Sequence, residues 1–381
     1  MSTQIYSGAA VFDGGQMLAG HSVVVKKGSI SGIFPDSSLP KGRRIVLKGG
    51  VLAPGLIDLQ VNGGGGIMLD GDADVARIAH ICATHARLGA TGILPTLITD
   101  TPEATATVIA AAIAAARAGV PGFLGLHLEG PHLDPRRKGA HDPALIRPMT
   151  EADLKALCIA AAALPALMVT LAPASVTPAQ IAVLAASGAI VSLGHAECTL
   201  DEAEAAEGAG ARSVTHLFNA MSQLGNREPG LVGAALGPRL FTGLIADGRH
   251  VHPRTIRLAL AAKGLGRVFL ISDAMAVAGT DATEFNLGGR RILRRQGRLT
   301  LEDGTLAGAD LSLPEAVRLM IRTIGLRPEE ALAMATSVPA GLLGQAGHLG
   351  AIAPGLPADL VHFDPDWLIA GIWRAGQPIT G

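Results

Sequence analysis

The chain has 381 residues, 49% hydrophobic and 17% charged, with a formal net charge of -1. That length exceeds one small core, and so balanced a charge without a long basic run excludes a nucleic-acid or anionic-membrane surface. Cys82, Cys158 and Cys198 are far apart and never in a Cys-x-x-Cys pair, so neither a disulfide framework nor a thiolate zinc site is expected, and the cytoplasm is the expected compartment. Met1-Ser2-Thr3-Gln4 lacks a basic start backed by an apolar stretch, and Arg117 interrupts the Ala-rich run from Ala104 to Val120. Neither a signal peptide nor a membrane span is expected, and the partner should be a small molecule.

From Tyr6 to Leu47 short apolar runs are separated by Gly, Asp and Lys: Gly8–Phe12, Ser22–Val25, Ser29–Ile33 and Arg44–Leu47. They read as a small antiparallel β piece. A second such piece, Ala358–Phe363 with a hairpin to Gly381, closes the chain. Because chain ends tend to lie close together, the two are expected to share one domain.

Between them the pattern alternates. Eight predicted strands cover Val51–Leu59, Thr91–Leu97, Gly122–Glu129, Ala166–Leu171, Ala189–His195, Ser213–Leu217, Thr242–Ala246 and Val268–Asp273. Helical stretches follow most of them: Asp72–Leu88, Pro102–Ala118, Glu151–Ala163, Pro178–Ala186, Leu200–Glu207 and Pro253–Lys263, several opened by Pro, Thr or Asp. Eight such units predict an α/β fold, a (β/α)8 barrel, with an open doubly wound sheet as the rival. No Gly-x-Gly-x-x-Gly follows the first strand, which weakens the dinucleotide-binding form of that rival. The charged insertion Gly279–Gly304 reads as a hairpin over the barrel mouth, its arginines as solvated loop. Predicted helices Pro314–Ile324 and Pro328–Ser337 lead back to the terminal β piece.

The polar residues that invite chemistry fall at one end of these strands, the C-terminal end, where barrel enzymes build their sites. Gln60 and Asn62 follow the first strand, Glu129 ends the third and His195 the fifth. His216 lies in the sixth, Asp247 and His250 follow the seventh, and Asp273 ends the eighth. One carboxylate and two imidazoles, Glu129, His195 and His216, make three ligands for a zinc-like ion and leave a position for water. Such an ion acidifies water and polarises an acyl oxygen. Asp273 is then the candidate base that takes the water's proton and returns it to a leaving nitrogen.

Several blocks carry a resemblance over almost the whole chain. They are Pro54–Gly63, His127-Leu128-Glu129-Gly130-Pro131, Lys138-Gly139-Ala140-His141, Gly194-His195, Thr215–Met221, Arg227-Glu228-Pro229-Gly230 and Ala246-Asp247-Gly248-Arg249-His250. In this order they resemble the N-acetylglucosamine-6-phosphate deacetylase family of the amidohydrolase superfamily. The resemblance implies a barrel over 53–345 and a small β-sandwich formed from 1–52 and 346–381. It also implies hydrolysis of the N-acetyl group of N-acetylglucosamine 6-phosphate to glucosamine 6-phosphate and acetate. Glu129, His195 and His216 fall on the family's metal ligands, Asp273 on its general base and acid, and His141 on the donor to the acyl oxygen. Asn219, Ala220, Arg227 and His250 fall on the positions that hold the sugar phosphate, one of which can reach across the interface of a homodimer.

Where many amidohydrolases carry His-x-His after the first strand, this chain has Gln60-Val61-Asn62. Amides are poor zinc ligands, so one divalent ion per chain is expected, zinc foremost, with Fe2+, Co2+ and Mn2+ as alternatives. Gln60 reads equally as a hydrogen-bond partner of the attacking water or as a turn-stabilising amide. His127, on the same strand face as Glu129, reads as a packed or supporting residue. The alternatives are the galactosamine epimer as substrate, a cyclic-amide amidohydrolase and a non-catalytic sugar-phosphate sensor. The intact Asp273 and ligand set argue against the sensor.

Overall fold

Eight largely apolar runs pair side by side in parallel in the computed structural model, which describes residues 3–380. They are β1 (Leu56–Val61), β2 (Ala90–Ile98), β3 (Leu126–Glu129), β4 (Leu167–Leu171), β5 (Ile190–Leu193), β6 (Ser213–Val214), β7 (Phe241–Leu244) and β8 (Val268–Leu270). Their spatial order is their chain order, as right-handed helical crossovers between parallel neighbours require. Almost every strand residue is buried, as expected of strands covered by helices outside and side-chain layers inside.

The ring closes between β8 and β1 without a regular ladder. At the C-terminal end the Asp273 N–H donates to the Gln60 carbonyl at 3.1 Å, and Val61 bridges Ala274. Lower down, the N–H groups of Ile57 and Leu270 donate to the carbonyls of Ala335 and Met334 at 2.9 and 2.8 Å. A late segment of the chain thus satisfies the backbone groups that the two strands leave unpaired.

The crossover helices begin where the sequence supplies caps. The side chains of Thr101, Thr177 and Thr199 accept from the N–H three residues on, ahead of helices Pro102–Arg117, Pro178–Ala186 and Leu200–Gly208. The stretch expected as a helix from Asp72 begins at Val75, because Asp74 takes the capping position and accepts from the Arg77 N–H.

The first predicted strand is two strands. Val51–Pro54 belongs to another sheet, and Leu56–Val61 enters the barrel. Gly55 separates them, packed so closely on Thr91 that any side chain there would collide. Val51–Pro54 pairs on one side with Ala10–Phe12 and on the other with Leu360–Phe363, inside a six-stranded sheet built from both chain ends. A four-stranded sheet of Gln4–Ser7, His21–Lys26, Ser29–Pro35 and Arg43–Val46 joins it. Tyr6, Val23, Val25, Leu52, Leu360 and Trp373 form part of their shared core, with the Tyr6 and Trp373 rings edge to face at 5.1 Å.

The insertion after β8 is a three-stranded antiparallel sheet, Glu284–Leu287, Arg290–Arg295 and Arg298–Thr300. Its arginines are partly engaged: Arg294 pairs with Asp310, Arg291 with Glu284, and Arg290 donates to the Ala140 carbonyl. Among the described residues no helix is long and apolar enough to cross a membrane.

Candidate active site

Glu129 is the last residue of β3, while His195 and His216 lie two residues beyond β5 and β6, and Asp273 three beyond β8. The three that lie past their strands have φ of +45°, +30° and +50°. Left-handed backbone at non-glycine residues costs on the order of 1–3 kcal/mol each and persists only where the surroundings hold it. Part of that support is local: Gly194, just before His195, lets its strand lie against Thr170 and Thr215, whose side-chain carbons an added Cβ would meet at 2.8 and 2.9 Å.

Four donor groups converge in one cavity. Glu129 Oε1 is 3.0 Å from His216 Nε2 and 3.4 Å from His195 Nε2, and the two imidazole nitrogens are 3.1 Å apart. His141 Nε2 is 3.7 Å from Glu129 Oε2. Ligand atoms of Glu129, His141 and His195 all lie within 4.8 Å of one another, so distance alone does not separate His141 from the ligands expected from sequence.

Proton placement does. His195 Nδ1 stands 2.8 Å from the Arg137 carbonyl. A carbonyl only accepts, so Nδ1 carries the proton and Nε2 turns a lone pair inward. His141 is the reverse: its Nδ1 accepts from the Thr99 N–H at 3.3 Å and lies 2.8 Å from Thr99 Oγ1, which leaves the proton on Nε2, facing the cavity. Burial pushes His141 down to about 4, so it is a neutral N–H donor.

His195 Nε2 therefore turns a lone pair toward the Glu129 carboxylate, and His216 Nε2 lies beside both, 3.0 Å from Glu129 Oε1 and 3.1 Å from His195 Nε2. Buried Glu129 is also held well below the usual carboxylate range: burial alone raises it, and the surrounding imidazoles outweigh that. Nitrogen and carboxylate donors in that arrangement fit a divalent cation. His216 Nδ1 is buried without a hydrogen-bond partner among the described residues.

Asp273 faces the same cavity, its Oδ1 accepting from Asn62 Nδ2 at 2.7 Å and Gln60 Nε2 at 3.2 Å. Burial, then the negative charge of Glu129, pushes it up to about 6. Gln60 Nε2 also donates to Glu129 Oε1 at 2.9 Å. Its amide joins the two carboxylates.

The cavity, about 230 Å³, is also lined by Asn219, Ala220 and His250. His250 Nδ1 is 2.7 Å from Asp247 Oδ2, and burial notwithstanding, that imidazole holds Asp247 below its ordinary value. Asn219 Nδ2 donates to the carbonyls of His216 and Leu217, and Ala220 has φ +48°. Arg227 is not brought in by its own chain: it sits on an exposed turn closed by the Gly225 N–H to the Glu228 carbonyl. Thr99 and the apolar wall of Ile98, Met275 and Leu287 were not anticipated. Thr99 carried the same signal as the others, a polar residue directly after a barrel strand.

Residues 51–381 match the profile of the Amidohydrolase family. The chain belongs to that family. It is 39% identical over 380 residues to an N-acetylgalactosamine-6-phosphate deacetylase of Shewanella, an alignment covering 98% of this chain and 95% of that one. It is 32% identical over 359 residues to the N-acetylglucosamine-6-phosphate deacetylase of Haemophilus influenzae, covering 93% of each. The crystal structure of N-acetylglucosamine-6-phosphate deacetylase from Pasteurella multocida superposes with a TM-score of 0.94 at 34% identity, covering 99% of both chains. Membership in the family fits the barrel, the converging donors and the β domain built from both ends.

Proposed function

We propose that this chain hydrolyses the N-acetyl group of N-acetylglucosamine 6-phosphate, yielding glucosamine 6-phosphate and acetate. The observation that carries the reading is the meeting of Glu129, His195 and His216 with Asp273 and His141 in one cavity. Glu129, His195 and His216 hold one divalent ion per chain, zinc foremost. When bound, that ion acidifies water and polarises the acyl oxygen. Asp273 takes the proton of the attacking water and passes it to the departing nitrogen, so that water and amide become acetate and amine. His141 Nε2–H donates to the acyl oxygen as negative charge gathers there. Asn219, Ala220 and His250 hold the phosphate, with Arg227 offered across a homodimer interface, where planar guanidinium donors match phosphate oxygens. A phosphorylated substrate agrees with a cytoplasmic enzyme of amino-sugar catabolism.

The Shewanella relative supports a second reading, the galactosamine epimer. Acetate release over phosphorylated and unphosphorylated forms of both N-acetylated sugars, with and without chelator, tests both. Turnover of a 6-phosphate that chelator abolishes is the expected result. Equal rates with and without the phosphate, or insensitivity to chelator, overturn the proposal, and the better 6-phosphate identifies the epimer.

A further inference from the structure

Beneath the candidate metal ligands runs a chain of buried hydrogen bonds to which the proposed chemistry assigns no part. His127 Nδ1 lies 3.1 Å from the Leu59 carbonyl, and His127 Nε2 lies 2.8 Å from Thr170 Oγ1. Thr170 Oγ1 is 2.7 Å from Thr215 Oγ1, which is 2.7 Å from Ser192 Oγ. His127, Thr170, Thr215 and Ser192 are all buried to within 1%.

Each link taken alone leaves the hydroxyl protons free to point either way, but the end fixes them all. The Leu59 carbonyl can only accept, so His127 carries its proton on Nδ1 and Nε2 must accept. The ring is fully buried and its two nitrogens meet only a carbonyl and hydroxyls, surroundings that favour the neutral form. Thr170 therefore donates to His127, Thr215 to Thr170, and Ser192 to Thr215. The chain has one direction, from Ser192 to Leu59, and linked bonds of one sense polarise and strengthen one another.

Its course matters because of what is attached. His127 lies two residues before Glu129 on the same strand, and Thr170 is the register partner of Glu129. Thr215 directly precedes His216. Thr170 and Thr215 are also the side chains against which Gly194, the residue before His195, is seated. We infer that His127, Thr170, Thr215 and Ser192 are positioning residues that lock β3, β5 and β6 in the spacing at which Glu129, His195 and His216 share one divalent cation.

This rests on the ligand reading proposed above, and the test separates the two. Zinc affinity of the full chain, stripped of metal, is measured by competition with a chromophoric chelator for the native protein, Thr170→Val and Thr170→Ser. Valine keeps the shape of threonine and the contact with Gly194 but removes the hydroxyl, leaving His127 Nε2 without a donor. Serine keeps the hydroxyl and loses the methyl. Expected are about 10- to 100-fold weaker zinc binding for Thr170→Val, the size of effect usual for groups that orient metal ligands, and binding within about threefold of native for Thr170→Ser. Metal-saturated Thr170→Val should keep the native KM. Native-like zinc affinity in Thr170→Val, or an equal loss in Thr170→Ser, overturns the inference. A native protein that binds no zinc, iron, cobalt or manganese overturns the ligand reading itself. Should Thr170→Val not fold, Ser192→Ala removes the head of the chain instead; several-fold weaker zinc binding is then expected, and undiminished binding is the contrary result.

Discussion

A neutral imidazole shows its surroundings either a proton or a lone pair, and the partner on its far nitrogen decides which. The Arg137 carbonyl makes His195 a lone-pair donor, and the Thr99 N–H makes His141 a proton donor. Asp273 complements both, as a carboxylate held by two amides with burial favouring the protonated form. Asp273→Asn keeps the shape and removes the proton acceptor. Turnover should fall about 10²- to 10⁴-fold, the usual range for a general base, with metal content and KM near native. Near-native kcat in that variant would remove Asp273 from its role. His195 and Asp273 were legible in the sequence, since each sits where an apolar run stops, whereas His141, in the loop after β3, was reached only through the family resemblance. Their proton assignments were not, because the deciding partners lie 58 and 42 residues away in the chain.

At the scale of elements, the strands and most helices were legible because their signals are local: apolar runs for the barrel, and Thr-Pro starts for the crossovers. Thr177 illustrates the strength of such a signal, with its side chain and that of Gln180 satisfying each other's backbone N–H groups. Thr177→Ala should destabilise the fold by about 1 kcal/mol, read by urea unfolding, with kcat/KM unchanged. A loss beyond about 3 kcal/mol would show that Thr177 does more than cap. Helix Gly230–Leu236 was missed for the converse reason: it starts from Pro229 without any side-chain cap, and its seven residues are too short to show an amphipathic repeat. The division at Gly55 was also hidden: Pro54-Gly55 marks a break in the run, but nothing local reveals that its two halves pair in different sheets.

For the molecule as a whole, buried histidines contribute to the loss of stability in acid. His85 is 2% exposed, with Nε2 2.8 Å from the Gly63 carbonyl, and burial pushes it down to about 4. Unfolded, it takes a proton near pH 6.5; folded, only near 4. Between those values the unfolded state binds more protons, so stability is complete above about pH 6.5 and falls as pH drops toward 4. His85→Gln, which keeps an N–H for Gly63 and cannot titrate, should lose about 3 kcal/mol less than native over that interval. Urea unfolding at a series of pH values measures this, and identical slopes would contradict it. His127 and His141 act in the same sense.

The sheet that holds both chain ends also bears on the order in which the protein is made. The Gly49 carbonyl, beside the strand Val51–Pro54, accepts from His362 Nε2, 313 residues later. At usual rates of synthesis that partner leaves the ribosome roughly 15 to 60 s afterwards. The amino-terminal strands must wait for it while the whole barrel emerges, so the nascent chain cannot finish its first domain first. Throughout that interval the edge of Val51–Pro54 that pairs with Leu360–Phe363 stays open to other strands.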